Sequence, residues 1–409
     1  MDRRIFLALA FAACSGAALA PTPAQLLGAT GEPYFLDWLN DFYARALARG
    51  VARQVLDREL SGLSPDPRVA ARDANQPESA KPVSDYIAGN LTSGRIALGR
   101  AKRSAIPALT GIEQRFGVPR DILIAIWAME SGFGAFQGDF DEVRSLATLA
   151  AAGRRRPWAE AELLAALQIL GSGDVPRSRL KGSWAGAMGQ TQFVPSTYLA
   201  SAIDGDGDGK PDIWGSPADA LASAANLLAK SGWRRGEGWA CEVVLPPGFD
   251  FGLSEGPLEP AAWWRVKGVR RADGRPWTAA DLAAPATLLL PAGAAGPAFL
   301  ALANHFVIRK YNNSVPYALA VGLLADRFAG GGPLVTAWPA ETPLSLTDRL
   351  DAQTALAKLG FDPQGVDGRI GIGARQALRA WQKSRGLVAD GYLSPDMVRR
   401  LRAALATKS

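Results

Sequence analysis

The chain alternates between two kinds of hydrophobic pattern. In the segments 34–60, 94–117, 159–170 and 218–230, apolar residues recur every three or four positions among charged ones, which predicts amphipathic helices. Between about 233 and 291 the apolar runs become short and are broken by Gly and Pro, which predicts a small β-rich insertion. Helical spacing returns from 297 to 327. The predicted fold class is therefore mainly α (α+β), a helical body with one β-rich insertion.

One run, 122–129, is apolar on every side and carries no charge. It follows Pro119, which suits a first helical position, so it predicts a buried helix rather than an amphipathic one. Glu130 comes at the C-terminal end of this helix. Burial and the negative end of the helix dipole would both raise the pKa of Glu130, as a general acid requires. The alternative is a glutamate that closes the helix and reaches water.

A second segment, 182–196, surrounds two glutamines and two aromatic residues with small residues. Small residues let a ligand approach the backbone closely. The hydroxyl of Ser183 and the amides of Gln190 and Gln192 are neutral hydrogen-bonding groups, and the two aromatic rings offer flat apolar surfaces. This combination suits a sugar chain, and we take these three polar residues as candidate substrate-binding residues. The alternative is a tight helix-packing turn.

These two motifs, Glu-Ser-x-x-Gly from Glu130 and Gly-Ala-Met-Gly-Gln-x-Gln-Phe-x-Pro-Ser from Gly186, closely resemble the lytic murein transglycosylase B family. The fold of that family is similar to goose-type lysozyme. The Tyr-Asn-Asn-Ser segment 311–314 and a tyrosine at position 86 extend the resemblance over roughly residues 30–330. The resemblance implies Glu130 as the catalytic acid. It implies a glycan site lined by Tyr86, Ser183, Gln192, Tyr311 and Asn312.

The resemblance also implies a reaction that uses one carboxylate. Glu130 would protonate the glycosidic oxygen between N-acetylmuramic acid and N-acetylglucosamine in peptidoglycan. The same residue would then act as a base on the C6 hydroxyl of the muramic acid sugar, which gives a 1,6-anhydro end. Intramolecular attack gains from proximity. No metal or organic cofactor is implied for the chemistry.

Hydrolysis would instead need a second carboxylate. The nearest candidates are Asp139, Asp141 and Glu142, and we expect them to form a solvated acidic loop ahead of a helix. Two alternatives to a transglycosylase stay open. One is a muramidase-type hydrolase of peptidoglycan, and the other is a non-catalytic wall-binding scaffold.

The segment 204–212, Asp-Gly-Asp-Gly-Asp-Gly-Lys-Pro-Asp, reproduces positions 1, 3, 5, 6 and 9 of an EF-hand calcium loop. Gly215 stands where an EF-hand has its bidentate glutamate. The family resemblance implies that Asp219 completes the site together with the carbonyl of Lys210. We expect structural Ca²⁺, and the alternative is an acidic Asp-Gly turn. The predicted ligands are Asp204, Asp206, Asp208, Lys210, Asp212 and Asp219.

The N-terminus predicts an export signal, because Arg3 and Arg4 precede the apolar run 5–13 and a small-residue cleavage site ends at Ala20. That run is too short to span a bilayer, and no other stretch predicts a transmembrane segment. We therefore expect a periplasmic protein from which residues 1–20 are removed. The residues before Cys14 faintly resemble a lipoprotein processing site, which leaves an outer-membrane lipoprotein as the alternative.

The amino-acid composition limits the classes of partner that we expect for this protein. The 409 residues carry 45 Lys and Arg against 39 Asp and Glu, so the net charge is +6, and a mildly basic surface suits an anionic polymer such as peptidoglycan. No basic helix or recognition motif for nucleic acid is present, so we expect no nucleic-acid partner. His305 is the only histidine, which excludes histidine triads and histidine-rich metal sites. We expect a monomer.

The C-terminal part predicts a separate domain. Gly and Pro are frequent in 330–344, which predicts a linker. Residues 345–409, with two Asp-Gly turns between apolar helical segments, closely resemble a peptidoglycan-binding domain of three short helices. Such a domain would hold the catalytic domain near its polymer and raise its local concentration. The predicted order is signal peptide 1–20, catalytic domain 21–329, linker 330–344 and peptidoglycan-binding domain 345–409.

Overall fold

The computed structural model describes residues 32–74 and 81–407, so the predicted signal peptide 1–20 and Cys14 lie outside the described residues. Helices dominate the described chain. In chain order they are α1 Glu32–Ala48, α2 Arg53–Leu60, α3 Pro67–Ala74, α4 Val83–Asn90, α5 Ser93–Ala105, α6 Ala108–Phe116, α7 Arg120–Ser131, α8 Glu142–Ala151, α9 Arg156–Ser172, α10 Pro195–Ser201, α11 Pro217–Lys230, α12 Ala261–Val266, α13 Ala279–Ala283, α14 Ala303–Tyr311, α15 Val315–Phe328, α16 Leu346–Leu359, α17 Ile372–Ser384 and α18 Pro395–Ala406. None of the helices in the described part is long and apolar enough to cross a membrane.

The strands form two antiparallel sheets. The strands are β1 Phe140–Asp141, β2 Lys181–Gly182, β3 Ala240–Val244, β4 Glu259–Pro260, β5 Arg270–Arg271, β6 Pro285–Leu289 and β7 Ala298–Leu302. The first two pair with each other, and the other five form one sheet in the order β4-β6-β7-β3-β5. The predicted mainly α fold with a β-rich insertion is confirmed.

The chain divides into two compact units. Within the described residues, the first unit holds 32–74, 97–231 and 311–313, and the second holds 81–96, 232–310 and 314–407. The core of the first unit forms around α1, α8 and α9. In α1, Phe35, Trp38, Leu39 and Phe42 are buried, and their spacing of three or four residues places them on one side of the helix.

Helix α7 is buried in the first unit and packs against α6 and α11. Every residue from 122 to 128 is buried, as the uniformly apolar run predicts. Pro119 is the N-cap, with an extended ψ of 135°, and not the first helical residue as predicted. The helix ends at Gly132, whose φ of 60° is the left-handed conformation that glycine adopts readily.

The five-stranded sheet forms the core of the insertion in the second unit, with Val243, Trp264, Leu288 and Leu300 buried against one another. The sequence prediction was wrong for 298–302, which is strand β7 and not part of a helix. β7 lies between β6 and β3, and its residues 298–301 are buried. A central strand covered on both faces is apolar at successive positions, so its pattern merges with the helix that follows.

Helices α16, α17 and α18 pack around Leu356, Trp381 and Leu401, and this confirms the predicted three-helix arrangement. A buried glutamine fixes each Asp-Gly turn. The Oε1 of Gln353 accepts a hydrogen bond from the Gly368 amide at 2.7 Å, and that of Gln382 accepts one from the Gly391 amide at 2.8 Å. The two Asp-Gly turns are therefore stabilised by the same kind of hydrogen bond.

Within the second unit, the three-helix domain is joined to the insertion by ion pairs. Glu255, on the loop before β4, pairs with Arg375 at 2.5 Å and with Arg379 at 2.6 Å, both on α17. The side chains of Glu255 and Arg379 are only 12% and 8% exposed. The segment 330–344 contains no helix or strand, but the amide of Thr336 donates to Glu242 at 2.7 Å. Within the second unit, these contacts hold the C-terminal domain and the segment 330–344 to the insertion.

Candidate active site

Glu130 lies in the last turn of α7 and is half-buried. Residues 122–128 before it are buried, whereas Gly132, two positions after it, ends the helix. The fold therefore places a carboxyl group where a buried helix meets the surface, as the sequence predicts.

The turn after Glu130 is hydrogen-bonded to the segment 182–196, which we call the glutamine loop. The hydroxyl of Ser131 donates to the carbonyl of Gln190 at 2.6 Å and accepts from the Gly134 amide at 2.8 Å. Ser131 is buried, so these bonds are shielded from water. They fix the backbone next to Glu130 relative to the loop.

Gln190 is buried, and both groups of its amide are used inside the protein. Its Oε1 accepts from the indole of Trp127 at 3.0 Å, and its Nε2 donates to the carbonyl of Trp214 at 3.1 Å. A Cβ on Gly134 would lie 2.5 Å from Gln190 Oε1, so only glycine fits there. Gln190 supports the loop, and contact with a sugar would require it to give up one of these bonds.

Gln192 has a left-handed backbone, with φ of 53°, which a residue with a side chain adopts rarely. Its Nε2 donates to the carbonyls of Gln137 at 3.0 Å and Gly189 at 2.9 Å. Gln137 in turn donates to the carbonyl of Trp214 at 3.1 Å. Gln192 is therefore held in a tight backbone turn, and its contact with a glycan stays a prediction.

Ser183 is the one residue of 182–193 that is not buried. Its hydroxyl oxygen accepts from the amides of Ala185 at 3.3 Å and Ala187 at 3.1 Å, and its own amide donates to the Ala187 carbonyl at 2.7 Å. These bonds close the turn 182–187 and leave Ser183 at its surface. Of the polar residues in the loop, Ser183 is the best placed to meet a ligand.

Tyr311 reaches the same loop from the end of α14. Its hydroxyl donates to the carbonyl of Thr191 at 2.6 Å, and its ring packs beside Phe193. Burial raises the pKa of Tyr311 well above its ordinary value, and the charge of Glu130 raises it further. Tyr311 and Glu130 are therefore close enough to interact, and the hydroxyl stays protonated. Asn312, the next residue, is half-buried.

Tyr86 lies on α4, in the second unit, where its carbonyl accepts from the side chain of Asn90 at 2.9 Å. Its predicted role in the glycan site stays a prediction.

The three candidates for a second carboxylate have different surroundings. Asp141 caps α8 and binds Arg177 at 2.8 Å, and Asp139 is exposed, so both follow the prediction of a polar acidic segment. For Glu142 that prediction was wrong. Glu142 is completely buried, and neither of its carboxylate oxygens has a hydrogen-bond donor. A side chain sealed in this way cannot activate a water molecule in an open groove.

The predicted calcium loop brings together carboxylates from two segments. One oxygen from each of Asp204, Asp206, Asp208 and Asp219 lies within 4.8 Å of the others. Asp219 is buried and accepts from the amides of Gly205 at 2.8 Å and Asp212 at 2.7 Å. Burial raises the pKa of Asp219, and the charge of Asp206 adds to this effect. Converging oxygen ligands of this kind suit a hard cation such as Ca²⁺.

Asp212 is not among the four clustered aspartates, and its role as a ligand stays a prediction. Its carboxylate pairs with Arg179 at 2.6 Å and accepts from the amides of Trp214 and Gly215. Gly215 replaces the usual EF-hand glutamate here. The Lys210 amide donates to Asp208 at 2.9 Å, and the ligand role of the Lys210 carbonyl stays a prediction.

Sequence reasoning missed the residues that hold the site together. Trp127 and Gln137 belong to the hydrogen-bond network of the glutamine loop, although neither was a candidate. Trp127 lies inside an apolar run, and this pattern indicates only that its indole packs in the core. The signal that could have found it is its polar N–H, because a buried indole usually has a hydrogen-bond partner.

Residues 34–326 match the family described as Transglycosylase SLT domain. Residues 345–401 match a family described as a peptidoglycan binding domain. The two matches agree with the catalytic and C-terminal parts that the sequence motifs indicate.

Among curated proteins, the chain is similar to the membrane-bound lytic murein transglycosylase B of Escherichia coli (strain K12). The two are 33% identical over 224 residues, which is 54% of this chain and 60% of that protein. The match thus spans less than two thirds of the relative's length.

Among solved structures, the chain is similar to SltB3 from Pseudomonas aeruginosa in complex with NAG-anhNAM-pentapeptide, with 50% identity and a TM-score of 0.87 over 90% of this chain and 99% of that chain. It is also similar to the Escherichia coli lytic transglycosylase Slt35 in complex with calcium, with 28% identity and a TM-score of 0.61 over 71% of this chain and 92% of that chain. These similarities confirm the resemblance inferred from the motifs and the lysozyme-like fold class.

Proposed function

This chain belongs to the transglycosylase SLT domain family, and from that premise we propose that it is a lytic transglycosylase of peptidoglycan. It cleaves the β-1,4 bond between N-acetylmuramic acid and N-acetylglucosamine without water and leaves a 1,6-anhydro end. The observation that carries the proposal is the position of Glu130. It ends a buried helix whose last turns are hydrogen-bonded to the glutamine loop.

In the proposed reaction, the Glu130 carboxyl gives its proton to the glycosidic oxygen, and the bond from that oxygen to C1 of the muramic acid sugar breaks. The resulting carboxylate takes the proton of the C6 hydroxyl of the same sugar, and O6 bonds to C1. Glu130 ends the cycle protonated, so no water and no cofactor is consumed. Ser183 and Tyr311 are the groups best placed to bind the sugar near Glu130.

The surroundings of two of the three other acids favour this route over hydrolysis, whereas Asp139 is exposed. A hydrolase needs a second carboxylate across the cleft as a nucleophile or as a base for water. Asp141 is paired with Arg177, and Glu142 is buried in the protein interior. Neither carboxylate is therefore free to act as the nucleophile or as the base for water. The relative SltB3, described in complex with NAG-anhNAM-pentapeptide, supports the same choice.

The C-terminal domain and the predicted export signal complete the proposal. We infer that residues 345–401 bind peptidoglycan, since they match a family described by that activity. A periplasmic enzyme would meet this polymer directly, and the predicted signal peptide 1–20 supports that location. The protein is proposed to act in remodelling or turnover of the cell wall, as a monomer.

Calcium has a structural role in this proposal and no part in the chemistry. Asp204, Asp206, Asp208 and Asp219 would hold the ion, whose two positive charges would offset part of the repulsion among the four carboxylates. The relative Slt35, described in complex with calcium, supports this assignment. The calcium loop connects α10 to α11, and the glutamine loop comes earlier in the chain.

The test is mass spectrometry of the products released from purified peptidoglycan by the wild-type protein and by Glu130→Gln. We expect wild-type products that are lighter by one water than hydrolytic products, and none from the variant. Glu113→Gln is the matched control, because Glu113 lies on α6 and pairs with Arg120. It should behave like the wild type. Products with reducing ends would indicate a muramidase, and the absence of products from the wild type would indicate a scaffold.

A further inference from the structure

Glu142 is the first residue of α8, where a glutamate side chain normally points into water and benefits from the helix dipole. Here it points inward and is fully buried. Neither Oε1 nor Oε2 has a hydrogen-bond donor within the described residues, although buried carboxylates are as a rule paired. Its backbone amide donates to Leu180 at 3.2 Å, so the residue is firmly placed.

The Glu142 carboxyl lies close to the turn 182–187, which carries Ser183 at its surface. A Cβ built on Gly182 would lie 2.1 Å from Glu142 Oε1 and 2.2 Å from the Ala187 carbonyl oxygen. These two oxygens therefore approach the same glycine from inside the turn. A Cβ on Gly186 would lie 3.7 Å from Glu142 Oε2, so the carboxyl spans the turn from one glycine to the other.

Two oxygens that both only accept hydrogen bonds would repel each other at this position. A proton on Glu142 removes that conflict, because a protonated carboxyl can donate to a carbonyl. We infer that Glu142 is protonated in the folded protein and that it donates to the Ala187 carbonyl, as a second bond beside the one from the Ser183 amide, which further stabilises the turn that carries Ser183. Glu142 is then a positioning residue for the substrate site, and this part of the inference depends on the proposed function.

The neighbouring charges agree with this state. Burial raises the pKa of Glu142 well above its ordinary value, and the negative charge of Asp141 raises it further. The positive groups nearby are engaged elsewhere or face outward: Arg177 binds Asp141, Arg144 donates to the Ser64 carbonyl at 2.8 Å, and Lys181 is exposed. None of them is hydrogen-bonded to Glu142.

The first experiment detects the proton directly. The infrared spectrum at neutral pH should contain the carbonyl band of protonated Glu142 in the wild-type protein, and the difference between wild type and Glu142→Gln should isolate this band. Glu162→Gln is the control, because Glu162 is also buried but accepts from the amide and hydroxyl of Ser196 at 2.8 Å. A difference spectrum between wild type and Glu142→Gln that lacks a protonated band would overturn the inference.

The second experiment tests the turn by hydrogen exchange of the peptide that contains Ser183, Ala185 and Ala187. Glu142→Gln keeps the shape and a donor, so its turn should stay protected at neutral and at alkaline pH. Glu142→Met keeps the length without a donor, and its turn should exchange faster. The wild type should lose protection relative to Glu142→Gln as the pH becomes alkaline. Equal protection in all three proteins at every pH would overturn the inference.

The same variants separate positioning from chemistry. If Ser183 binds the glycan, Glu142→Met should raise KM for a soluble glycan several-fold and leave kcat nearly unchanged, whereas Glu142→Gln should match the wild type. A fall in kcat with unchanged KM would contradict a positioning role. The infrared and exchange measurements use no substrate, so they can fail while the proposed function holds. An inactive wild type would count against the proposed function alone.

Discussion

The indole Nε1 of Trp127 donates to the Oε1 of Gln190 at 3.0 Å, and this bond joins the helix that carries Glu130 to the loop that carries Ser183. Both partners are buried. The bond is therefore shielded from water, and its loss would leave the Gln190 oxygen without a donor. The position of the Glu130 helix and the position of the loop therefore depend on each other through this contact.

Replacement of Trp127 by Phe should lower both stability and activity. The variant keeps an aromatic ring but removes the donor, and an unsatisfied buried acceptor costs about 1 to 3 kcal/mol in the free energy of unfolding. Turnover of peptidoglycan should fall, because the loop is no longer fixed to α7. Urea unfolding and product release measure the two effects.

The control for this prediction is Trp277→Phe, since Trp277 is a half-buried tryptophan of the second unit that stacks with Arg271. It should change turnover little. Equal activity of Trp127→Phe and wild type would show that the bond does not position the site.

Tyr311→Phe should lose activity out of proportion to stability. The hydroxyl donates to the Thr191 carbonyl at 2.6 Å and lies near Glu130, so the variant loses one hydrogen bond, worth about 1 kcal/mol, at the site itself. We expect kcat/KM to fall on the order of tenfold, which corresponds to about 1.4 kcal/mol in the barrier. Steady-state turnover of a soluble glycan measures it.

Tyr198→Phe is the matched control for Tyr311→Phe. The Tyr198 hydroxyl also donates to a backbone carbonyl, that of Pro211 at 2.9 Å, and burial raises its pKa to about 12. Its loss should cost similar stability but no activity. A comparable loss of activity in both variants would mean that Tyr311 acts only through the fold.

Much of the site could be predicted from sequence because local pattern decides it. The apolar run 122–129 after Pro119 predicts a buried helix that ends near Glu130, and alternating aspartates predict a loop that gathers oxygens. The three-helix domain likewise follows from its Asp-Gly turns and apolar spacing. In each case a short segment carries its own information.

The sequence could not reveal what depends on contacts between distant segments. Glu142 belongs to an acidic stretch, and only the turn 182–187 above it makes it a buried group. Asp212 has the spacing of a ligand, but its carboxylate pairs with Arg179. β7 has the apolar composition of a helix start, and its two neighbouring strands decide otherwise.

Calcium should stabilise the first unit through the cluster of four aspartates. Binding to the folded state alone raises stability as the free ion exceeds its dissociation constant, by about 2.7 kcal/mol at a hundredfold excess. We expect Tm to rise when Ca²⁺ is added and to fall with EDTA. Differential scanning calorimetry measures the shift, and an identical Tm in both conditions would exclude the site.

The ligand set gives this prediction a sharp control. Asp219→Asn removes the buried charge of the cluster and should abolish the calcium-dependent shift in Tm. Asp212→Asn removes only the carboxylate that pairs with Arg179 and should keep the shift. If Asp212→Asn abolished the shift in Tm instead, Asp212 would be a calcium ligand, as its EF-hand position predicts.

Glu255→Gln should loosen the C-terminal domain from the insertion. The variant leaves Arg375 and Arg379 without their carboxylate, and the loss of one partner of a buried ion pair costs on the order of 3 kcal/mol. We expect faster hydrogen exchange in α17 and easier proteolysis within 330–344. Glu259→Gln, a half-buried glutamate of the same insertion, is the control and should change neither.

The same ion pairs should make the stability of the second unit depend on pH in a defined direction. Burial alone would raise the pKa of Glu255, but the hydrogen bonds and charges of Arg375 and Arg379 outweigh it, so the pKa lies below the ordinary value of 4.5. The stabilisation is therefore complete above 4.5 and is lost as the pH falls through the lowered pKa. The difference in unfolding free energy between wild type and Glu255→Gln should shrink over this acidic range. A difference that stays constant there would mean that packing, and not charge, holds the domain to the insertion.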